Sequence, residues 1–166
     1  MKYLLPLLPV LFLFTACEDD NSGPTDPPSE PVITNFGGLL LTDANGNPLG
    51  GDPTDWQSTD TWTDAETSLF SDGFSEDCVL NDELVIAAYP NPATNPIAFY
   101  HGAPGSSEVQ IRIIDRNYQL LYEQDEVPAN FQLNTDDLPK NDTLRVLYKL
   151  LGPDCELRGH GDILIQ

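Results

Sequence analysis

An all-β antiparallel sandwich is the fold this sequence predicts, and three observations predict it. Short runs alternate apolar and polar residues with a period of two, as in Val109-Gln110-Ile111-Arg112-Ile113 and again along Leu144–Leu150. Turn formers separate these runs, with 12 Gly and 15 Pro in the 166 residues. No long stretch carries the 3.6-residue period of an amphipathic helix. Taken in order, the second half offers strands at Leu84–Ala88, Ile97–Tyr100, Val109–Ile113, Gln119–Glu123, Phe131–Leu133 and Leu144–Leu150. Two short pieces follow, Cys155–Arg158 and Ile163–Ile165, with a tight turn between them.

The first element is not part of the fold. Lys2 supplies a positive start, Tyr3–Ala16 carry no charge, and Thr15-Ala16 are small. Residues 1–16 therefore read as a cleaved signal peptide, too short to serve as a stable membrane anchor. Residues 17–31 read as a disordered tether. The run Asn21–Pro31, NSGPTDPPSEP, is too polar to build a core, and its prolines bias it toward an extended form. At ~3.1 Å per residue it reaches roughly 30 Å.

Residues 32–77 read as a β-hairpin and an aromatic loop region packing on the sandwich. Gly38–Thr42 is apolar, and Asn45-Gly46 is a tight-turn dipeptide because both positions tolerate positive φ. Asp43, Asn45 and Asn47 also alternate like the start of a calcium loop, which makes Ca2+ the one metal worth testing. Pro48 nevertheless stands where that loop needs glycine. Trp56 and Trp62 lie among Asp52, Asp55, Asp60 and Asp64. Aromatic rings beside carboxylates suit a sugar site, so Trp56, Trp62, Asp52 and Asp55 are the candidate ligand-binding residues. The plainer reading is that both tryptophans pack the loop onto the sandwich.

Residues 78–166 read as the sandwich itself. Cys78 and Cys155 form an even pair in an exported chain and are expected to be bridged. The bridge would close a loop of about 77 residues, worth roughly 4 kcal/mol on chain entropy. The balance of 27 Asp and Glu against 7 Lys and Arg gives a formal charge of −20. Such a chain repels phosphate backbones, which sets nucleic acid aside as a partner and leaves divalent cations or basic partners. There are two histidines, His101 and His160. The quintet Arg158-Gly159-His160-Gly161-Asp162 could hold an acid–base group, but no nucleophile motif accompanies it.

Two resemblances add to this reading. Met1–Cys17, with the cysteine at the cut point, resembles a bacterial lipoprotein signal, which implies cleavage before Cys17 and lipidation of its thiol. The acidic Glu18-Asp19-Asp20 behind it resembles the surface-export signal of Gram-negative bacteria with type IX secretion. Together they imply an outer-membrane lipoprotein facing the cell surface, with the periplasmic face as the alternative. Tyr89-Pro90-Asn91-Pro92, a spacer, and Val109–Asp115 are similar to the Ig-like domains of type IX sorting and of flagellar hook-capping proteins. That similarity implies an Ig-like or fibronectin-III-like sandwich in which the Tyr-Pro-Asn-Pro segment opens the first strand. The end of this chain, Asp162–Gln166, lacks the basic sorting tail of those domains. The expected function is a membrane-anchored, non-enzymatic binding or structural module with a glycan or envelope protein as partner. The alternatives are a glycan-acting enzyme built on Trp56 and Trp62, or a sorting-type domain.

Overall fold

The computed structural model describes residues 30–59, 61–71, 86–103, 107–152 and 155–166. The leader, Cys17, most of the tether and Cys78 lie outside them. Among the described residues the elements are β1 (Leu40–Thr42), β2 (Pro48–Gly51), α1 (Asp64–Thr67), β3 (Ile86–Tyr89), β4 (Ile97–His101), β5 (Glu108–Ile114), β6 (Leu120–Gln124), β7 (Asn130–Leu133), β8 (Asp142–Leu151) and β9 (Glu156–Ile165).

The chain is an antiparallel β-sandwich. A three-stranded sheet in the order β3-β4-β7 packs on a four-stranded sheet in the order β6-β5-β8-β9, the fibronectin-III-like arrangement, and β1-β2 form a separate hairpin. The period-two pattern does what it predicts. Val109, Ile111 and Ile113 of β5 and Leu144, Val146, Tyr148 and Leu150 of β8 enter the core. There they meet Ile86, Ala88, Ile97 and Phe99 from the opposite sheet.

The other face of the four-stranded sheet is also covered, which explains why β8 reads as nearly continuous burial from Leu144 to Leu150. Ile114 and Leu147 on that face pack with Ile33, Phe36, Trp62, Leu69 and Phe70 from the N-terminal segment. That segment thus forms a strap over the sheet. Arg112 is pinned under it, with its guanidinium 4.9 Å from the Phe70 ring, its Nε donating to the Leu69 carbonyl and an ion pair of 2.8 Å to Asp125. Phe36 lies under two further cations, Arg116 and Arg145.

Two sequence expectations need correction. The stretch 158–162 is not a turn between two strands, because β9 runs unbroken through it and pairs with β8 from Asp142↔Ile165 to Leu151↔Glu156. Gly159 and Gly161 mimicked a turn but are there for space. A Cβ on Gly159 would sit 2.2 Å from the Tyr148 hydroxyl, and one on Gly161 would sit 2.1 Å from the Trp56 ring. The Tyr-Pro-Asn-Pro segment does not open the first strand of the sandwich either. β3 ends at Tyr89, and the prolines that follow form the connection to β4.

That connection has a structural duty. β9 is an edge strand, and unpaired edges recruit other chains. The Asn91 side chain accepts from the Leu164 amide and donates to the Asp162 and Leu40 carbonyls. The Ala93 amide donates to Leu164, and the Thr59 amide donates to Arg158. Fragments from two parts of the chain therefore close one edge.

Candidate functional site

The place where most chemically capable side chains meet is beside β9. A cleft of about 250 Å3 is lined by Gly37, Gly38, Asp52, Thr54, Asp55, Gln57, Ser58, Thr59, His160 and Asp162. Strand alternation puts His160 and Asp162 on the outer face of β9, opposite Leu147 and Arg145 of β8. The strap supplies the rest.

Asp55 is the joint between strap and sheet. Its Oδ2 accepts from the Leu40 amide at 2.9 Å, and its Oδ1 accepts from the amides of Asp162 at 3.0 Å and Trp56 at 3.1 Å. Trp56 itself lies in the left-handed region with φ 68°, unusual for a bulky residue. That strain turns the ring into the sandwich while its amide stays on Asp55. Asp162 is 1 % exposed and accepts from Arg145 Nε at 2.9 Å and NH2 at 3.2 Å. Glu66, buried at the end of a capping box with Thr63, lies 3.8 Å from the same guanidinium.

The electrostatics follow from burial and neighbours. Burial raises Asp55 from 3.8 to about 6; amide hydrogen bonds from Leu40 and Asp162 pull it down, and the Asp162 charge pushes it up again. Burial, and then Arg145, hold His160 below its ordinary value against the pull of Asp162 and Glu66. Burial also works against the Arg145 charge, but the hydrogen bonds and attraction of Asp162, with Glu66, outweigh it and raise its pKa. His160 Nδ1 is buried without a hydrogen-bond partner among the described residues.

The sequence candidates fall into three groups. Asp52 and Asp55 do line the cleft, although Asp52 spends Oδ1 on the Thr54 amide and hydroxyl. Trp56 does not: it is 6 % exposed, stacks on Tyr148 at 6.5 Å and meets Phe99 edge-on at 6.4 Å. Trp62, within the strap, stacks on Phe70 at 4.8 Å. Each ring thus packs into a different hydrophobic cluster, as the plainer reading of the two tryptophans has it. In the calcium candidate, Asp43 Oδ1 accepts from the Asn45 and Asn47 amides and Oδ2 accepts from Asn47 Nδ2. The alternation that suggested a cation is the chemistry of a turn closed on its own backbone. Among the described residues no group of three or more His, Cys, Asp or Glu is placed to hold a metal.

His101 is likewise structural, bonding the Val127 carbonyl through Nε2 and accepting from the Ala103 amide at Nδ1. Arg145 is what sequence reasoning missed, since proximity in sequence groups Asp162 with Arg158 and His160 rather than with it. The pairing of Arg145 with Asp162 follows from the β8–β9 register, which a misplaced turn had hidden.

No family model, curated protein or solved structure matches the chain.

The cleft makes one prediction about pH. The folded state holds the Asp55 proton more tightly than the unfolded chain does. Asp55 therefore adds stability below about pH 3.8, and that contribution is lost as pH rises to about 6. Asp55→Asn cannot ionise. The difference in urea midpoint between wild type and this variant is expected to change across that window and to be constant above it. A difference that is the same throughout would show that Asp55 titrates as an ordinary surface carboxylate.

Proposed function

We propose that the chain is an envelope lipoprotein, a non-enzymatic β-sandwich held at the outer membrane through Cys17 and acting by binding or structural support. The observation that carries the non-enzymatic part is how the cleft spends its groups. Asp55 fastens the strap to β9, and Asp162 and Glu66 neutralise Arg145. Both oxygens of the Asp55 and Asp162 carboxylates already accept hydrogen bonds, so these acids act as bolts rather than as a free acid and base. The glycan-acting enzyme loses its support with the two tryptophans.

The anchor rests on the leader and Cys17, and the surface face rests on Glu18-Asp19-Asp20. No described helix is long and apolar enough to cross a membrane. More than one acyl chain on Cys17 would make attachment stable, because each buried CH2 contributes about 0.8 kcal/mol. The Ig-like sorting resemblance supports the sandwich, and a sorting role has only that resemblance behind it. A Cys78–Cys155 bridge belongs to the same proposal.

The test is labelled palmitate in cells making wild type and Cys17→Ala. Label is expected on the wild type and absent from the variant, and protease shaving of whole cells reports the face. Mass spectrometry of the mature protein reads the mass at Cys17 and the state of Cys78 and Cys155 together. An unmodified Cys17, or a retained leader, would defeat the anchor.

A further inference from the structure

We infer that the outer face of the three-stranded sheet is a binding face for a neutral polysaccharide. This inference rests on the binding-module reading above and names its ligand class. Ile86, Ala88, Ile97, Phe99 and Leu133 point into the core, so alternation turns the residues between them outward. Those residues are Ala87, Tyr89, Ala98, Tyr100, Asn130 and Gln132, and each is half-buried or exposed. Register arranges them in two rows, Ala87–Tyr100–Asn130 and Tyr89–Ala98–Gln132. The opposite sheet's outer face is covered by the strap, whereas this one leaves Tyr100 41 % exposed.

The composition of this face singles out its partner. A chain with 27 acidic residues and a charge of −20 places none of its charges at these six positions. Tyr89 and Tyr100 are diagonal neighbours across the ladder, about 7–8 Å apart, close enough for one short ligand to touch both. The alanines between them keep the floor low. Tyrosine offers a broad amphipathic ring with few torsions to freeze, and Asn and Gln each offer a donor and an acceptor. A pyranose presents the complementary chemistry, with a C–H face for the ring and hydroxyls for the amides. The Asn45-Gly46 turn flanks the site, lying so close to the Tyr89 ring that a Cβ on Gly46 would meet it at 3.3 Å. Asp43 in that turn keeps its carboxylate tied inside the loop.

Charge chooses between occupants. A second copy would bring its own excess of acids against this one, and an anionic polymer would be repelled in the same way. A basic protein would be drawn to the acidic remainder of the surface rather than to this face. A neutral polymer meets neither obstacle, and the rigid sheet adds little ordering cost on binding.

The experiment uses the full chain purified in detergent on affinity gels containing amorphous cellulose, starch or yeast mannan, with polygalacturonate as the anionic comparison. Retention is expected on at least one neutral polymer and not on polygalacturonate. Tyr100→Ala should weaken that retention at least tenfold and Gln132→Ala severalfold, with thermal unfolding unchanged because both side chains are exposed. Retention on none of the three neutral gels, or retention that Tyr100→Ala leaves intact, overturns the inference. So does a dimer in sedimentation that Tyr100→Ala dissolves, which would assign the face to a second copy. A chain that is acylated at Cys17 yet not retained defeats this face alone, and one retained but not acylated defeats the anchor alone.

Discussion

Trp56→Ala is expected to remove about 3–5 kcal/mol of folding stability, the usual cost of emptying a large buried aromatic site. Trp56 is not a loop residue resting on a finished core. Its ring enters the core from the β9 side, stacked on Tyr148 and edge-on to Phe99, and the space it fills is left by Gly161. Its carbonyl accepts from the Tyr148 hydroxyl at 2.9 Å, so the ring and the backbone are fixed together. Burial drives Tyr148 upward in pKa, with a smaller push from Asp55, which keeps that hydroxyl a donor. The loss compares with the total of roughly 5–15 kcal/mol typical of a single domain. Urea unfolding followed by near-ultraviolet circular dichroism measures it. Gly161→Ala should destabilise from the other side, because the added Cβ and the ring claim one volume. A Trp56→Ala chain within 1 kcal/mol of wild type would mean that the ring is only a surface cover.

How far the sequence could be read depended on the range of each interaction. Period-two alternation is local, so β5, β7 and β8 stood out with their alternating sets correct, and β4 was placed as a strand. The Asn45-Gly46 hairpin was legible for the same reason, since turn geometry is set by the residues in the turn. β9 was misread because its two glycines answer to Tyr148 and Trp56, which are distant in sequence, and nothing local distinguishes that need from a turn. Trp56 stayed open between ligand platform and packing residue for a related reason: acids next to a tryptophan look the same whether the ring faces water or the core. Asp55 was picked out, but its partner Asp162 lies 107 residues away. The six-residue neutral face could not be seen before register placed β3, β4 and β7 side by side.

Asp162→Ala is expected to cost about 3–5 kcal/mol, because it leaves a buried cation without its main partner. The Arg145 side chain is 10 % exposed and Asp162 is 2 % exposed, so neither is compensated by water when the other is removed. Glu66 remains at 3.8 Å, too long for a hydrogen bond, and cannot take over the two donors that Asp162 received. The charge also reaches beyond its own pair. Five of the chain's seven basic residues, Arg112, Arg116, Arg145, Lys149 and Arg158, lie on or beside the four-stranded sheet. Ion pairs among the described residues join Arg112 with Glu123 and Asp125, Arg116 with Asp142, Arg145 with Glu66 and Asp162, and Lys149 with Glu156. Of these pairs only Arg145–Glu66 reaches an acid of the strap; Arg112, Arg116 and Arg145 otherwise meet the strap through the Phe70 and Phe36 rings and the Leu69 carbonyl. A double-mutant cycle separates the cost of an orphaned charge from the worth of the pair. Arg145→Met with Asp162→Leu should be far less damaging than the sum of the two single changes, since removing both charges removes the desolvation cost as well. Additive losses would mean that the two residues act independently.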